Sequence, residues 1–285
     1  MIEMGPNRYG KSAIRLVKLV RDGERHTVRD LTVAVALEGD FETAHTEGDN
    51  AAVVATDTMK NTVYAFAPEH LTGPIERFGH ALAHHFVAFP EVAAATISID
   101  EHRWVRIPTD TGPAQDAFLR SGDFTRTAEV RATADGVTTT AGLRDLTVMK
   151  STRSAFAGFP RDRYTTLPEV DDRIMATMVT ATWRYGATAE GSGALDYDAT
   201  FDAIGATLLE VFAEHHSTSV QASIWIIGRA ILDAHPEVDE IRMVMPNLHH
   251  WAVDLAPFGI ENRGEVFVAT REPHGLIDAT VRRGE

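Results

Sequence analysis

Residues 9–37 read YGKSAIRLVKLVRDGERHTVRDLTVAVAL, and the fold is decided here. Leu31, Val33, Val35 and Leu37 alternate with Thr32, Ala34 and Ala36, the period of two that marks a strand with one buried face. Residues 9–20 upstream are rich in Ile, Leu and Val, and Asp22-Gly23 between the runs is a hairpin signal. Helical spacing follows: Met59, Val63 and Phe66, then Ile75, Phe78, Leu82 and Phe86 behind Pro74, which suits a first helical turn. Strand patterns return near 93–107, where Ile97 and Ile99 alternate with Ser98 and Asp100, and at 124–133.

The same order then runs again. Asp135-Gly136 is a second hairpin signal leading into 137–150, and 177–185 places Val179, Ala181, Trp183 and Tyr185 on one face. Phe201, Ile204, Leu208 and Val211 mark one helix, and Val220, Ile224, Ile227 and Ile231 the next. Strand patterns close the chain at 241–246 and 265–270. Strand–strand–helix–helix–strand–strand is thus repeated as architecture, without a repeat of sequence. Hairpin-joined strands imply antiparallel sheets with helices on one face, an α+β arrangement. The expected halves are 1–134 and 135–285. Each leaves a sheet face uncovered, and association is one way to bury it.

With 27 Lys+Arg against 41 Asp+Glu, the formal charge is −14, which repels phosphate backbones and anionic lipid. Neither nucleic acid nor a membrane surface is expected as a partner. The absence of cysteine excludes disulfides, thiol nucleophiles, iron–sulfur clusters and cysteinyl zinc sites. No stretch approaches the ~20 apolar residues of a bilayer span. Met1 to Lys11 lacks a signal-peptide core, and Arg282-Arg283-Gly284-Glu285 carries no organelle address, so a cytoplasmic protein is expected. The chain has only four lysines, Lys11, Lys18, Lys60 and Lys150, so each invites a question about its role.

Phosphate-loop, nucleophile-elbow and zinc-protease motifs are missing. Gly191-Ser192-Gly193 looks like the start of a dinucleotide loop but lacks the third glycine and a preceding strand. Glu76, His80 and His84, with His85 beside them, are spaced four apart on one helical face and could ligate zinc. The plainer alternative is the polar stripe of a helix lying over a sheet.

Several segments in order carry a resemblance. Tyr9-Gly10-Lys11, the run Ala55-Thr56-Asp57-Thr58-Met59-Lys60-Asn61-Thr62, Arg161 through Leu167, Ser219-Val220-Gln221-Ala222 and Pro246-Asn247-Leu248-His249 look like those of urate oxidase (uricase), bacterial in type. The resemblance implies a tunnelling fold of two ββααββ repeats, assembled as a homotetramer whose sheets close into a β-barrel. It implies oxidation of urate by dioxygen and water to 5-hydroxyisourate and hydrogen peroxide, without metal or organic cofactor, at sites shared between subunits. A metal-dependent pterin or purine enzyme on the same fold, using Glu76, His80 and His84, is one alternative. A urate-binding protein without chemistry is another.

The chemistry suits the residues to which the resemblance points. Urate is a flat, anionic, electron-rich ring. Arg173 offers a fork for two adjacent acceptors on the ring edge, and Gln221 can answer a donor and an acceptor together. Phe156 can stack on the ring, with backbone groups of Thr56, Asp57 and Val220 completing the outline. Lys11, Thr56 and His249 would remove the proton. An ordinary lysine, at about 10.4, needs desolvation or a neighbouring cation to act as a base. Asn247 would hold dioxygen, water or peroxide over the ring.

Most of these residues have a plain structural alternative, and His249 beside His250 has no special signal by itself. Lys11 reads as a solvated charge and Thr56 as the N-cap of the Met59 helix. Thr218-Ser219-Val220-Gln221 reads as a capping box. Phe156 and Arg173 read as core and salt bridge, and Asn247 as a turn residue after Pro246. Ala157-Gly158 departs from the bulkier residue expected beside that glycine, which would loosen the wall near Phe156. His250-Trp251 departs from the continuation expected of eukaryotic members.

Overall fold

Strand β1 (Arg8–Asp22) turns at Gly23, whose φ of 56° suits glycine, and returns antiparallel as β2 (Arg25–Gly39). The computed structural model describes residues 2–187 and 195–284, so Gly191, Ser192 and Gly193 lie outside the described residues. The chain divides into two compact units, Met1–Gly142 with Arg184–Asp198, and Leu143–Trp183 with Ala199–Glu285.

In the first unit β2 pairs with β3 (Val92–Glu101), and β3 with β6 (Thr125–Thr133), all antiparallel. Val33 lies opposite Ile99, Val35 opposite Ile97, and Ile97 opposite Val130, so the alternation read in the sequence puts one apolar row on one face. Helices α2 (Thr56–His70) and α3 (Ile75–Val87) cover that face, behind the short α1 (Glu42–Thr46). They bury Met59, Val63, Ile75, Phe78, Leu82 and Phe86 at 0% exposure. Each such side chain contributes roughly 1.5–3 kcal/mol by leaving water. Val17 and Leu19 of β1 remain exposed.

The pattern expected at 93–107 is not one strand. β3 ends at Glu101, where His102 N–H donates to the Asp30 carbonyl (2.8 Å), and the chain leaves the sheet. It forms a separate hairpin of β4 (Trp104–Thr109) and β5 (Gly112–Arg120), turning at Gly112 with φ 114°.

In the second unit the strand order is β7 (Gly136–Lys150), β8 (Met175–Tyr185), β9 (Val238–Ala252) and β10 (Phe267–Arg282); β7 and β8 each extend past the unit's limits. Its helices are α4 (Tyr197–Glu214) and α5 (Val220–Ala234). Val179, Ala181, Trp183, Ile204, Leu208, Ile224, Ile227, Ile231 and Met243 are buried. The final strand runs well beyond the expected 265–270. Its pairing with β9 is interrupted between Thr270 and Gly275, opposite His249 and Asn247.

One contact recurs in both units. A Cβ built on Gly79 of α3 would meet Val130 Cγ2 at 2.8 Å, and one on Gly228 of α5 would meet Val281 Cγ2 at 2.6 Å. Each helix lies on its sheet through a glycine placed against a valine.

Candidate active site

Lys11 and Thr56 belong to the first unit, and their placement follows from Tyr9-Gly10. The Gly10 backbone passes so close to β2 that a Cβ would lie 1.9 Å from the Val35 carbonyl oxygen, so no other residue fits. Tyr9 packs edge-on against Phe41 at 4.8 Å, and its hydroxyl donates to the Val54 carbonyl (3.1 Å), two residues before Thr56. Lys11 follows opposite Val35, half-buried, just before the β1–β2 register breaks around Ala13, whose φ is 56°. Among the described residues the Lys11 side chain makes no hydrogen bond or ion pair.

Thr56 is not the N-cap. Ala55 occupies that position and supplies no side-chain bond, so Thr56 opens α2. The first α2 bond is Met59 N–H to the Ala55 carbonyl, which leaves the N–H groups of Thr56, Asp57 and Thr58 without a partner among the described residues. The Asp57 carboxylate is engaged by Lys60 and by Asn61 Nδ2 (3.0 Å). The Lys60 bond, with the charges of Lys60 and Lys11, holds its pKa below the ordinary carboxylate value. The eight-residue run therefore exposes backbone donors and occupies its own acidic side chain.

The second unit gathers the other residues. Phe156 exchanges hydrogen bonds with Val170 (2.8 and 3.1 Å), and Arg173 N–H donates to the Ser154 carbonyl (2.7 Å). These bonds set the Arg173 guanidinium 5.3 Å from the Phe156 ring centroid. The salt-bridge reading fails: Arg173 has no ion pair among the described residues, and its buried Nε has no partner. Burial lowers its pKa. An unpaired cation over an aromatic face is costly without a ligand, and suited to an anionic one.

Phe159 stacks on Phe156 at 4.9 Å and 13°. Gly158, with φ 74°, turns the chain so that these rings meet, while Ala157 is exposed. Phe159 thus backs the Phe156 ring, beside the wall that the sequence places at Ala157. Downstream, Asp162 organises a turn through the Thr165 hydroxyl and the Tyr164 N–H (both 2.9 Å), which accounts for the Arg161–Leu167 motif structurally.

The capping-box reading of Thr218–Gln221 is also corrected. The N-cap is Ser219, whose Oγ accepts from Ala222 N–H (3.0 Å). The position that could reach back is then Ala222, which has no side-chain polar group. Gln221 is left exposed, and the Val220 and Gln221 N–H groups have no partner among the described residues.

Asn247 is no turn residue. It lies within β9 opposite Gly275, two residues from His249 at the interrupted β9–β10 register. His249 stacks against Trp251 at 5.2 Å and 28°. Burial, then the charges of Arg173 and His274, hold its pKa below the ordinary 6.5. A neutral imidazole able to accept a proton results.

The Glu76–His80–His84 metal set does not form. Glu76 is fully buried and bound by both of its oxygens to Arg126 (2.9 and 3.1 Å); burial raises its pKa against Arg126's pull. His80 Nε2 lies 2.8 Å from Thr139 Oγ1, and burial, with His84 and Arg77, lowers it to about 4. No cluster of metal-ligating side chains occurs among the described residues. Sequence reasoning missed Phe159, the Tyr9–Val54 bond and the Ser219 cap; only the serine three residues before Ala222 gave a local signal.

The ββααββ units, with antiparallel sheets and paired helices, define a tandem tunnelling-fold protein. A family model described as Uricase matches residues 7–131 and 139–278. The chain is 47% identical to a uricase of Arthrobacter globiformis over 99% of this chain and 90% of that one. It is 40% identical to a uricase of Emericella nidulans over 97% of this chain and 96% of that one. A crystal structure of uricase from Arthrobacter globiformis superposes with a TM-score of 0.93, at 46% identity, over 99% of this chain and 96% of that one. The chain belongs to the uricase family. Among the described residues, no helix is long and apolar enough to cross a membrane.

Proposed function

We propose that this chain is a urate oxidase, converting urate, dioxygen and water to 5-hydroxyisourate and hydrogen peroxide without metal or organic cofactor. The observation that carries the reading is Arg173, a half-buried, unpaired guanidinium over Phe156. A planar anion is the ligand that satisfies both groups at once, through paired hydrogen bonds and ring stacking. Val220 and Gln221 add backbone donors and an amide to the ring edge, and Thr56 and Asp57 add backbone donors. Lys11, Thr56 and His249 take the proton, His249 serving as a neutral acceptor, and Asn247 holds the oxygen species.

The assembly belongs to the same proposal: repeats of 1–134 and 135–285, a homotetramer with sites at subunit interfaces, in the cytoplasm of a bacterium. Exposed Val17, Leu19 and Leu276 on the terminal strands support association.

The test is urate consumption in air, read by ultraviolet absorbance with peroxide measured in parallel, on chelator-treated protein. Loss of urate with matching peroxide is expected. Urate bound but unchanged would leave a binding protein, and activity lost with chelator would return the metal reading.

A further inference from the structure

Beneath Phe156, Arg173, Val220 and Gln221 runs a polar chain that the chemistry above does not use. Ser154, Ser217 and Ser223 are 1%, 0% and 0% exposed. The hydroxyls of Ser217 and Ser223 are 2.8 Å apart, and Ser223 Oγ lies 2.8 Å from His215 Nε2. His215 Nδ1 is 2.6 Å from the Val211 carbonyl oxygen, which can only accept. Nδ1 therefore carries the ring hydrogen, and in neutral imidazole Nε2 accepts from Ser223. Ser223 has then used its hydrogen, and Ser217 donates, either to Ser223 Oγ or to the Ser219 carbonyl at 3.1 Å. One tautomer fixes Ser223 as the donor to His215 and leaves Ser217 to donate.

The backbone shows what the chain holds. Ser217 N–H donates to the Arg153 carbonyl (2.9 Å), and Ala155 N–H donates to the Ser217 carbonyl (2.7 Å). That fixes the segment leading into Phe156, and Ser154 beside it accepts from Arg173 N–H (2.7 Å). On its other side Ser217 reaches Ser219, the cap that places Val220 and Gln221. Stacking ring, guanidinium and ring-edge helix all hang from one buried junction.

Resting on the urate oxidase reading, we infer that Ser217, Ser223 and His215 are positioning residues, which keep the stacking and edge-binding groups in mutual register without touching the ring. A buried hydroxyl left without its partner forces its neighbours to shift, and a displaced binding group holds the ring less tightly. A network serving stability alone would lower the melting temperature and leave the folded enzyme's affinity unchanged.

The experiment compares Ser223→Ala, His215→Asn and the hydroxyl-retaining Ser223→Thr with the parent, at a temperature where circular dichroism reports native fold. Urate KM and kcat are measured, with the Kd of an unreactive azaxanthine analogue. Ser223→Ala and His215→Asn should raise KM and Kd together, roughly tenfold, with kcat changed less and Ser223→Thr closer to the parent. Folded variants with parental KM and Kd overturn the assignment. If one variant does not fold, the other decides. A parent that neither consumes urate nor binds the analogue overturns the oxidase reading itself; a working parent with unaltered variants overturns only this inference.

Discussion

The Tyr9 hydroxyl donates to the Val54 carbonyl at 3.1 Å, tying the strand that carries Lys11 to the loop that delivers Thr56. Two residues of the proposed proton path, 45 positions apart in sequence, thereby share one hydrogen bond's registration. Tyr9→Phe keeps the ring on Phe41 and leaves the carbonyl unpaired. It should cost about 1 kcal/mol of stability and lower kcat several-fold, with analogue affinity unchanged. Denaturant melts and steady-state kinetics check this; unchanged kcat would mean the bond serves stability only.

Lys11→Met removes the ammonium while keeping much of the side-chain length. If lysine belongs to the proton path, kcat falls by roughly a hundredfold or more while analogue binding stays near parental. Turnover at the parental rate removes Lys11 from the mechanism.

Arg173→Ala takes the cation from over Phe156. Urate KM should rise by tenfold or more, because part of a desolvated ring edge loses its partner, an effect of about 1–3 kcal/mol. Losing an unpaired buried charge should leave folding stability unchanged or raised, the opposite of what a structural salt bridge predicts. Thermal melts without ligand distinguish the two.

His249 gives the pH dependence. Its pKa is depressed below 6.5 by burial, with Arg173 and His274 adding to the effect. If neutral His249 is required, kcat falls as pH drops through that depressed value, so the acid limb lies below 6.5. His274→Asn removes one of the interactions that depress the His249 pKa, so that value rises and the limb moves to higher pH. A limb that stays in place excludes His249 as the group responsible.

The fold was legible where one face is buried. Leu31 to Leu37 and Val179 to Tyr185 betray their strands by alternation, and Ile75, Phe78, Leu82 and Phe86 betray their helix. The β4–β5 hairpin was not legible because it has no buried face: Ile107 and Leu119 are 40% and 59% exposed, so its residues show no hydrophobic period. The site was legible only through resemblance. Phe156, Arg173 and Ser219 acquire meaning from bonds among Ser154, Val170 and Ser217, which local pattern does not encode. The capping-box reading failed for a related reason, since a one-residue shift of the cap exchanges the partner of Gln221 for none.

Gly79 and Gly228 set a helix against a valine in each unit, but only one of those helices begins with proposed ring-edge groups. Gly228→Ala lifts the helix that starts at Val220 and Gln221; Gly79→Ala lifts one that starts at Ile75 and carries none of them. Both substitutions should destabilise, by about 1–3 kcal/mol for an overpacked contact. KM should respond to Gly228→Ala alone. A single polypeptide thus supplies an experiment and its own control, the same methyl group wedged beneath two similar helices, of which one carries proposed ring-edge groups and the other does not.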